Sequence, residues 1–213
     1  MQYPRSFGEE GMLRQSARRL SAVPRASYLR SPLWAAGFSF SLARVMLCPH
    51  RGVTYSPHLP QLFFGEESLM AARLFTRGVR FFAPGETVCY HLYPRAHRPA
   101  PLPAAASSSA SMKEVEKARS VSIVQAMLMG TNCGEVDEVW WNLNVPYGLG
   151  QENSLQEFEH YSGVSLRDKQ VIRTEKDWVR FVCSTNPLIA VEHDACDTGN
   201  DVEEVSVEEP GMD

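Results

Sequence analysis

The 213-residue sequence has no uninterrupted apolar run near the roughly 18 to 20 residues that a membrane-spanning helix needs. Its longest apolar stretches, such as residues 33–40, fall far short, which argues against an integral membrane protein. The first 20 residues also lack the apolar centre of a signal peptide, because Gly8, Glu9 and Glu10 and then Arg14, Arg18 and Arg19 break it up. Paired cysteines are missing too. Cys48, Cys89, Cys133, Cys183 and Cys196 are odd in number and widely spaced, with no CxxC, so neither a zinc knuckle nor a dithiol redox site is expected and a reducing, cytoplasmic setting fits. Lysine is absent from the first 100 residues, where 13 Arg stand against 5 Glu for a charge of +8. Residues 101–191 carry −3, and residues 192–213 carry nine acids and no base, −9. The arginines are scattered among prolines and apolar positions and do not stack on one helical face, so nucleic acid is not an expected partner, although bound phosphate is compatible with them.

What is present suffices for a core: 44% of residues are hydrophobic and 22% charged, the balance of one ordinary domain. Residues 1–32 mix Pro4, Gly8, Gly11, Pro24 and Pro32 with arginine and read as mostly irregular, with room for a short helix only over 11–20. Residues 34–42 suit a buried strand or tight loop, followed by a turn over 48–52. Pro57 and Pro60 delimit another turn. Over 66–77 the pattern becomes helical: Leu69, Met70, Leu74 and Phe75 recur at helical spacing, two acids open the first turn, Arg77 lies in the last, and Gly78 follows as the residue past the cap. Residues 78–83 read as a connection and short strand, Pro84-Gly85 as a turn, and 86–92 as a strand ending at His91. Residues 99–111 are low-complexity Pro, Ala and Ser, a linker or insert. Helices are predicted over 113–129 and 154–162, the latter with Ser154 as N-cap and Glu157 three residues on, separated by a polar connection over 130–142 that carries Trp140 and Trp141. Residues beyond about 193 read as a solvated, disordered acidic tail.

Three features could carry chemistry: the acidic pair Glu66 and Glu67 opening a helix, the strand-terminal His91, and Arg95 and Arg98 just after it. The order helix, glycine, strand would bring the helix N-terminus and the strand end to one edge of an α/β sheet, where ligands bind in open sheets. A carboxylate and a neutral imidazole there suit Mn²⁺ or Mg²⁺, and Arg95 or Arg98 could grip a diphosphate. Each residue also has an ordinary explanation. The helix dipole alone favours first-turn glutamates by about 0.3 to 1 kcal/mol, and a lone strand histidine or a solvated arginine needs no ligand.

The motifs themselves carry a resemblance. Trp34-Ala-Ala-Gly-Phe-Ser-Phe-Ser41, Leu59-Pro-Gln-Leu-Phe-Phe-Gly-Glu-Glu67, Met70-Ala-Ala-Arg-Leu74, Gly78 and Phe82-Ala-Pro-Gly-Glu-Thr-Val-Cys-Tyr-His-Leu92 resemble the GlcNAc-transferase family of the cytosolic hydroxyproline type. So do Gly11-Met-Leu-Arg-Gln15 upstream and Tyr147-Gly-Leu-Gly150, Ser154-Leu-Gln-Glu157 and Tyr161-Ser-Gly-Val164 downstream, so the resemblance runs from about residue 3 to about residue 175. It implies an α/β enzyme of the Rossmann-like GT-A fold, a divalent metal cofactor (Mn²⁺ or Mg²⁺), a UDP-sugar donor, and transfer of N-acetylglucosamine with retention to a hydroxyproline on the adaptor subunit of SCF ubiquitin ligases. By that resemblance Gly65, Glu66 and Glu67 are similar to the acidic xED element beside donor and acceptor, His91 completes the metal site, and Trp34, Ala35, Ala36, Gly37 and Ser39 line the sugar and acceptor pocket. The metal would act as a Lewis acid on the departing UDP, and Glu66 or Glu67 would hold sugar hydroxyls or steady an oxocarbenium ion.

One departure qualifies the resemblance: no Asp-x-Asp or Asp-x-His pattern occurs before Trp34, where the family ends its nucleotide-binding half. The expectation is therefore a partial GT-A domain: residues 1–98 as the rear of the catalytic core, 99–111 as insert, 112–191 as helical extension and 192–213 as tail. Such a chain would be inactive alone, either as part of a longer active transferase or as a catalytically incompetent paralogue serving as a protein-binding module.

Overall fold

The computed structural model describes residues 1–17, 28–48, 52–84, 88, 110–129 and 136–178, which form a mixed α/β structure. Among them, no helix is long and apolar enough to cross a membrane. The chain opens with an antiparallel hairpin, β1 (Gln2–Phe7) against β2 (Leu13–Ala17), where irregular chain or a short helix was expected. Two features hide this hairpin from a period-two reading. A register shift between Pro4 and Ser6 absorbs the proline, and a turn closed by Gly8 N–H to Met12 O (2.9 Å) uses Gly11 at φ 72°. Short antiparallel ladders join β3 (Tyr28–Arg30) to β4 (Phe82–Pro84) and β5 (Val164–Ser165) to β6 (Gln170–Val171). All ladders among the described residues are two-stranded and antiparallel, so no open parallel sheet positions the acidic pair there. The expected strand over 86–92 lies outside the described residues apart from Val88.

The core is organised by α2 (Glu66–Thr76), which begins where the acidic pair and periodicity placed it and ends one residue short of Arg77. Its residues Ser68 to Thr76 are all buried, so the helix is covered on every side rather than along one stripe. Helix α3 (Ala110–Met129) starts inside the span read as a low-complexity insert and packs Ile123, Val124, Met127 and Leu128 into the same core. From α5 (Leu155–Ser162), Phe158 is wholly buried with its ring 5.6 Å from that of Phe75. Burying each of these phenyl rings is worth about 1.5–3 kcal/mol. Tyr161 of the same helix lies 4.8 Å from Phe75 and donates its hydroxyl to Ser31 O at 2.9 Å, tying β3 to α5.

The expected capping box opens α5. Ser154 Oγ accepts from Glu157 N, and the Glu157 carboxylate accepts from Ser154 N at 2.6 Å. The end of α2 is closed by a loop from far along the chain: Glu152 N and Asn153 N both donate to Thr76 O, Gly150 N to Thr76 Oγ1, and Asn153 Nδ2 to Phe75 O. Those bonds satisfy carbonyls the helix itself leaves open. They also give residues 147–153 a structural reason for their glycines, since a Cβ on Gly150 would lie 2.5 Å from Thr76 O.

Two further expectations need correction. Part of the polar connection over 130–142 is helical: α4 (Glu138–Asn144) carries both tryptophans and is capped by Asp137 Oδ1, which accepts from Val139 N (3.0 Å) and Trp140 N (3.2 Å). Residues 34–42 form neither a strand nor a buried loop. Beyond the half-buried Trp34 and Ala35 they make an exposed loop, bent at 36–38, that leads into α1 (Ala43–Leu47), with Phe40 97% exposed.

The two glycines Gly150 and Gly37 should respond oppositely. Gly150→Ala is expected to lower stability by about 1–3 kcal/mol in denaturant unfolding, whereas Gly37→Ala, which meets nothing within 4 Å, should be close to neutral. The Glu157 carboxyl is held below its ordinary value, chiefly by the Ser154 backbone N–H and then by the Ser154 hydroxyl. Its contribution is therefore complete above the usual glutamate range and lost as pH falls through the lowered value. Acid unfolding followed by circular dichroism should shift in Glu157→Gln accordingly, with less loss of stability on acidification than in the parent.

Candidate functional site

The acidic pair sits at the start of α2, where the chain must turn sharply to enter a buried helix. Gly65 makes that turn at φ 98°, a left-handed conformation costly for other residues. A Cβ there would lie 2.5 Å from Met12 Sδ of the hairpin turn. No side chain caps this end; Ser68 Oγ instead donates to Gly65 O at 3.0 Å. The two half-buried glutamates therefore sit where the positive end of the helix dipole favours negative charge.

They face different partners. Glu67 Oε1 accepts the backbone N–H of Ala36 at 2.8 Å, which fastens the 34–38 loop to the helix start. Glu66 lines a cavity of about 210 Å³ with Tyr55, Ser56, Leu59, Leu62, Leu69, Met70 and Arg73. Tyr55 shares that cavity with Glu66, and burial first, then the charge and hydrogen-bonding pull of Glu66 and the charge of Glu67, push its phenol well above its ordinary range. The Tyr55 ring in turn lies 6.3 Å from that of Trp34. Tyr55 thus bridges the two arms of the site.

Arg73 anchors the backbone next to Tyr55. It lies seven residues after Glu66, two turns along the same face of α2, and its Nη1 donates to Thr54 O at 2.7 Å. The residue is 2% exposed. Burial, and then the like charge of Arg77, draws its guanidinium down to about 10, so it stays cationic at neutral pH.

Of the residues singled out from sequence, the structure brings Gly65, Glu66, Glu67, Trp34 and Ala36 together. Ala35 lies half-buried between Trp34 and Ala36, while Gly37 and Ser39 are on the exposed part of the loop. His91, Arg95 and Arg98 lie outside the described residues. Tyr55 and Arg73 went unmarked. Nothing in spacing links Tyr55 to the glutamates; Arg73 could have been found by asking which charged residue shares the Glu66 face of a helix with Leu69 and Met70. Among the described residues no group of three or more His, Cys, Asp or Glu side chains converges as a metal ion requires.

The position of this site within the sequence can be set against known proteins. The model of the family described as Glycosyltransferase (GlcNAc) matches residues 3–168, well over half of the chain and all of the site just described. The chain belongs to this GlcNAc glycosyltransferase family, and its class of activity is glycosyl transfer, with a sugar donor and an acceptor. No curated protein and no solved structure gives a significant match.

The bond from Ala36 to Glu67 makes a local prediction. Glu67→Ala should cost about 0.5–1.5 kcal/mol. It should also release the loop, read as faster hydrogen exchange at the Ala36 amide and altered Trp34 fluorescence, with α2 itself unchanged.

Proposed function

We propose that the chain serves a GT-A type transferase that moves N-acetylglucosamine from UDP-GlcNAc to a hydroxyl of a protein acceptor, with retention. The acceptor hydroxyl that its resemblance points to is hydroxyproline on the adaptor subunit of SCF ubiquitin ligases. The observation that carries the reading is the asymmetry of the acidic pair within the family-matched segment. Glu67 is engaged by the Ala36 N–H, while Glu66 lines the cavity with its charge supported by the Tyr55 hydroxyl. Glu66 is then the carboxylate that meets the ligand, and Glu67 the one that positions the loop of Trp34 and Ala36.

In the proposed reaction the bond from the anomeric carbon to the UDP oxygen breaks, the bond from that carbon to the acceptor oxygen forms, and the acceptor proton passes to the departing diphosphate. A carboxylate beside this centre orients sugar hydroxyls and stabilises the positive charge that grows on the ring as the leaving group departs. Loop residues 34–37 would close the sugar off from water, and Tyr55, in the same cavity as Glu66, would confine the carboxylate. The proposal includes a divalent metal, with His91 among its ligands and Arg95 and Arg98 on the diphosphate. The described residues supply no ligand set for it.

Saturation-transfer NMR of UDP-GlcNAc with the 213-residue chain tests this reading, with Mn²⁺ replaced by diamagnetic Mg²⁺. The N-acetylglucosamine protons should receive saturation, and Glu66→Gln should reduce it several-fold more than Glu67→Gln. Equal effects, or no saturation at the sugar in the parent, would refute the assignment of Glu66.

A second reading, a protein-binding module without catalysis, draws on the exposed Phe38, Phe40 and Leu42 beside the site. Sugar transfer to a hydroxyproline peptide but not to its proline counterpart separates the two.

A further inference from the structure

The cavity beside Glu66 has a second charged end. Glu66, Leu69, Met70 and Arg73 follow one another at the spacing of a single helix face, so the wall that α2 contributes runs from a carboxylate to a guanidinium. At 1.5 Å per residue the two lie about 10 Å apart along the axis. Tyr55, Ser56, Leu59 and Leu62 form the facing wall.

The guanidinium is under-used. Of its five N–H groups, the two on Nη1 reach Thr54 O (2.7 Å) and Met70 Sδ (3.3 Å). Nε is sealed from solvent and has no acceptor, and Nη2 makes no hydrogen bond among the described residues. Among the described residues no carboxylate forms an ion pair with it either. A buried cation usually has a carboxylate or a full set of acceptors, because an unmatched one is costly. This one has a neutral carbonyl, a thioether, the Tyr147 ring 5.8 Å from its Cζ, and a cavity.

We propose that the cavity is a carboxylate-binding subsite, in which Arg73 takes the acidic side chain of a polypeptide ligand. The chemistry of the walls selects this class. One guanidinium neutralises one negative charge, and the Nη2 amino group left over by the Thr54 and Met70 contacts can donate to a carboxylate oxygen. Glu66 at the far end opposes a doubly charged phosphate, which would want more cations than one. Leu59, Leu62, Leu69 and Met70 supply the apolar surface along which the methylenes of an aspartate or glutamate side chain would lie. About 210 Å³ is less than the roughly 300–1,000 Å³ of pockets that enclose a whole drug-sized ligand, and suits one side chain. In terms of the transferase reading, on which this extension rests, an acceptor hydroxyl near Glu66 and an acid at Arg73 lie about three residues apart on an extended chain.

The test is an NMR titration of the 213-residue chain labelled with ¹⁵N-arginine, following the Nε–H signal of Arg73 as sodium acetate replaces sodium chloride at constant ionic strength. Arg73→Met assigns the signal by its disappearance. Leu62→Trp adds bulk to the cavity wall and keeps Arg73, so the experiment does not depend on a variant at the buried arginine. A saturating shift with acetate in the parent, abolished in Leu62→Trp, is the expected result. A flat or unsaturable response, an unchanged response in Leu62→Trp, or a response to inorganic phosphate but not to acetate would overturn the proposal. A second arm compares GlcNAc transfer to acceptor peptides with Glu or Gln three residues from the hydroxyproline, where KM should rise about ten-fold or more for Gln with kcat little changed. Acetate saturation, with no transfer to either peptide even when a nucleotide-binding half is joined to the chain, would leave the subsite standing and count against the transferase reading instead.

Discussion

Nine consecutive residues of α2, from Ser68 to Thr76, have almost no contact with water, and this burial governs the rest of the molecule. A helix covered on all sides needs neighbours on all sides. The hairpin turn through Met12 and Leu13, helix α3 through Ile123 and Val124, and helix α5 through Phe158 supply them from three distant parts of the chain. It also cannot leave its ends to solvent. The last turn is closed by residues 150–153, and the first emerges beside the 34–38 loop, so both termini are held by segments remote in sequence. The charged groups of the site sit on an element that has little freedom to shift.

That arrangement puts the candidate acidic pair of this GlcNAc glycosyltransferase-family chain at the start of a helix with little freedom to move. Rigid elements position side chains more accurately than loops do. Glu66 and Arg73 are fixed by one helix, and Tyr55 is fixed through the carbonyl of Thr54 that Arg73 holds. The 34–38 loop, by contrast, is exposed and joined to the helix start through one hydrogen bond from Ala36 to Glu67. Precision resides in the helix and adaptability in the loop.

The parts of the fold that could be read from sequence are those whose signals are local. The start of α2, its glycine at 78, most of α3 and the capping box of α5 all rest on neighbours within a few residues, and all are found where propensity and capping put them. The hairpin over 2–17 escaped because Pro4 and the two glycines look like loop residues until a register shift and a turn give them positions. Helix α4 escaped because its cap, Asp137, precedes two tryptophans whose periodicity is short and whose burial is only partial. In the site, the glutamates and the 34–37 loop were legible through motif, but Tyr55 was not. Its link to Glu66 crosses 11 positions through a turn-rich segment whose path depends on Arg73, and no spacing rule encodes that path.

Gly65 has a consequence for how variation can be tolerated here. The thioether of Met12 fills the volume that any side chain at position 65 would claim, so the tip of the N-terminal hairpin acts as the depth stop for the first turn of α2. Met12 and Gly65 are therefore one complementary pair: a smaller residue at 12 would relieve the clash but not the strain of a side chain at φ 98°, and a displaced hairpin tip would carry the Glu66 and Glu67 carboxylates with it. A segment with no chemistry of its own thereby sets the height at which the acidic pair stands above the core.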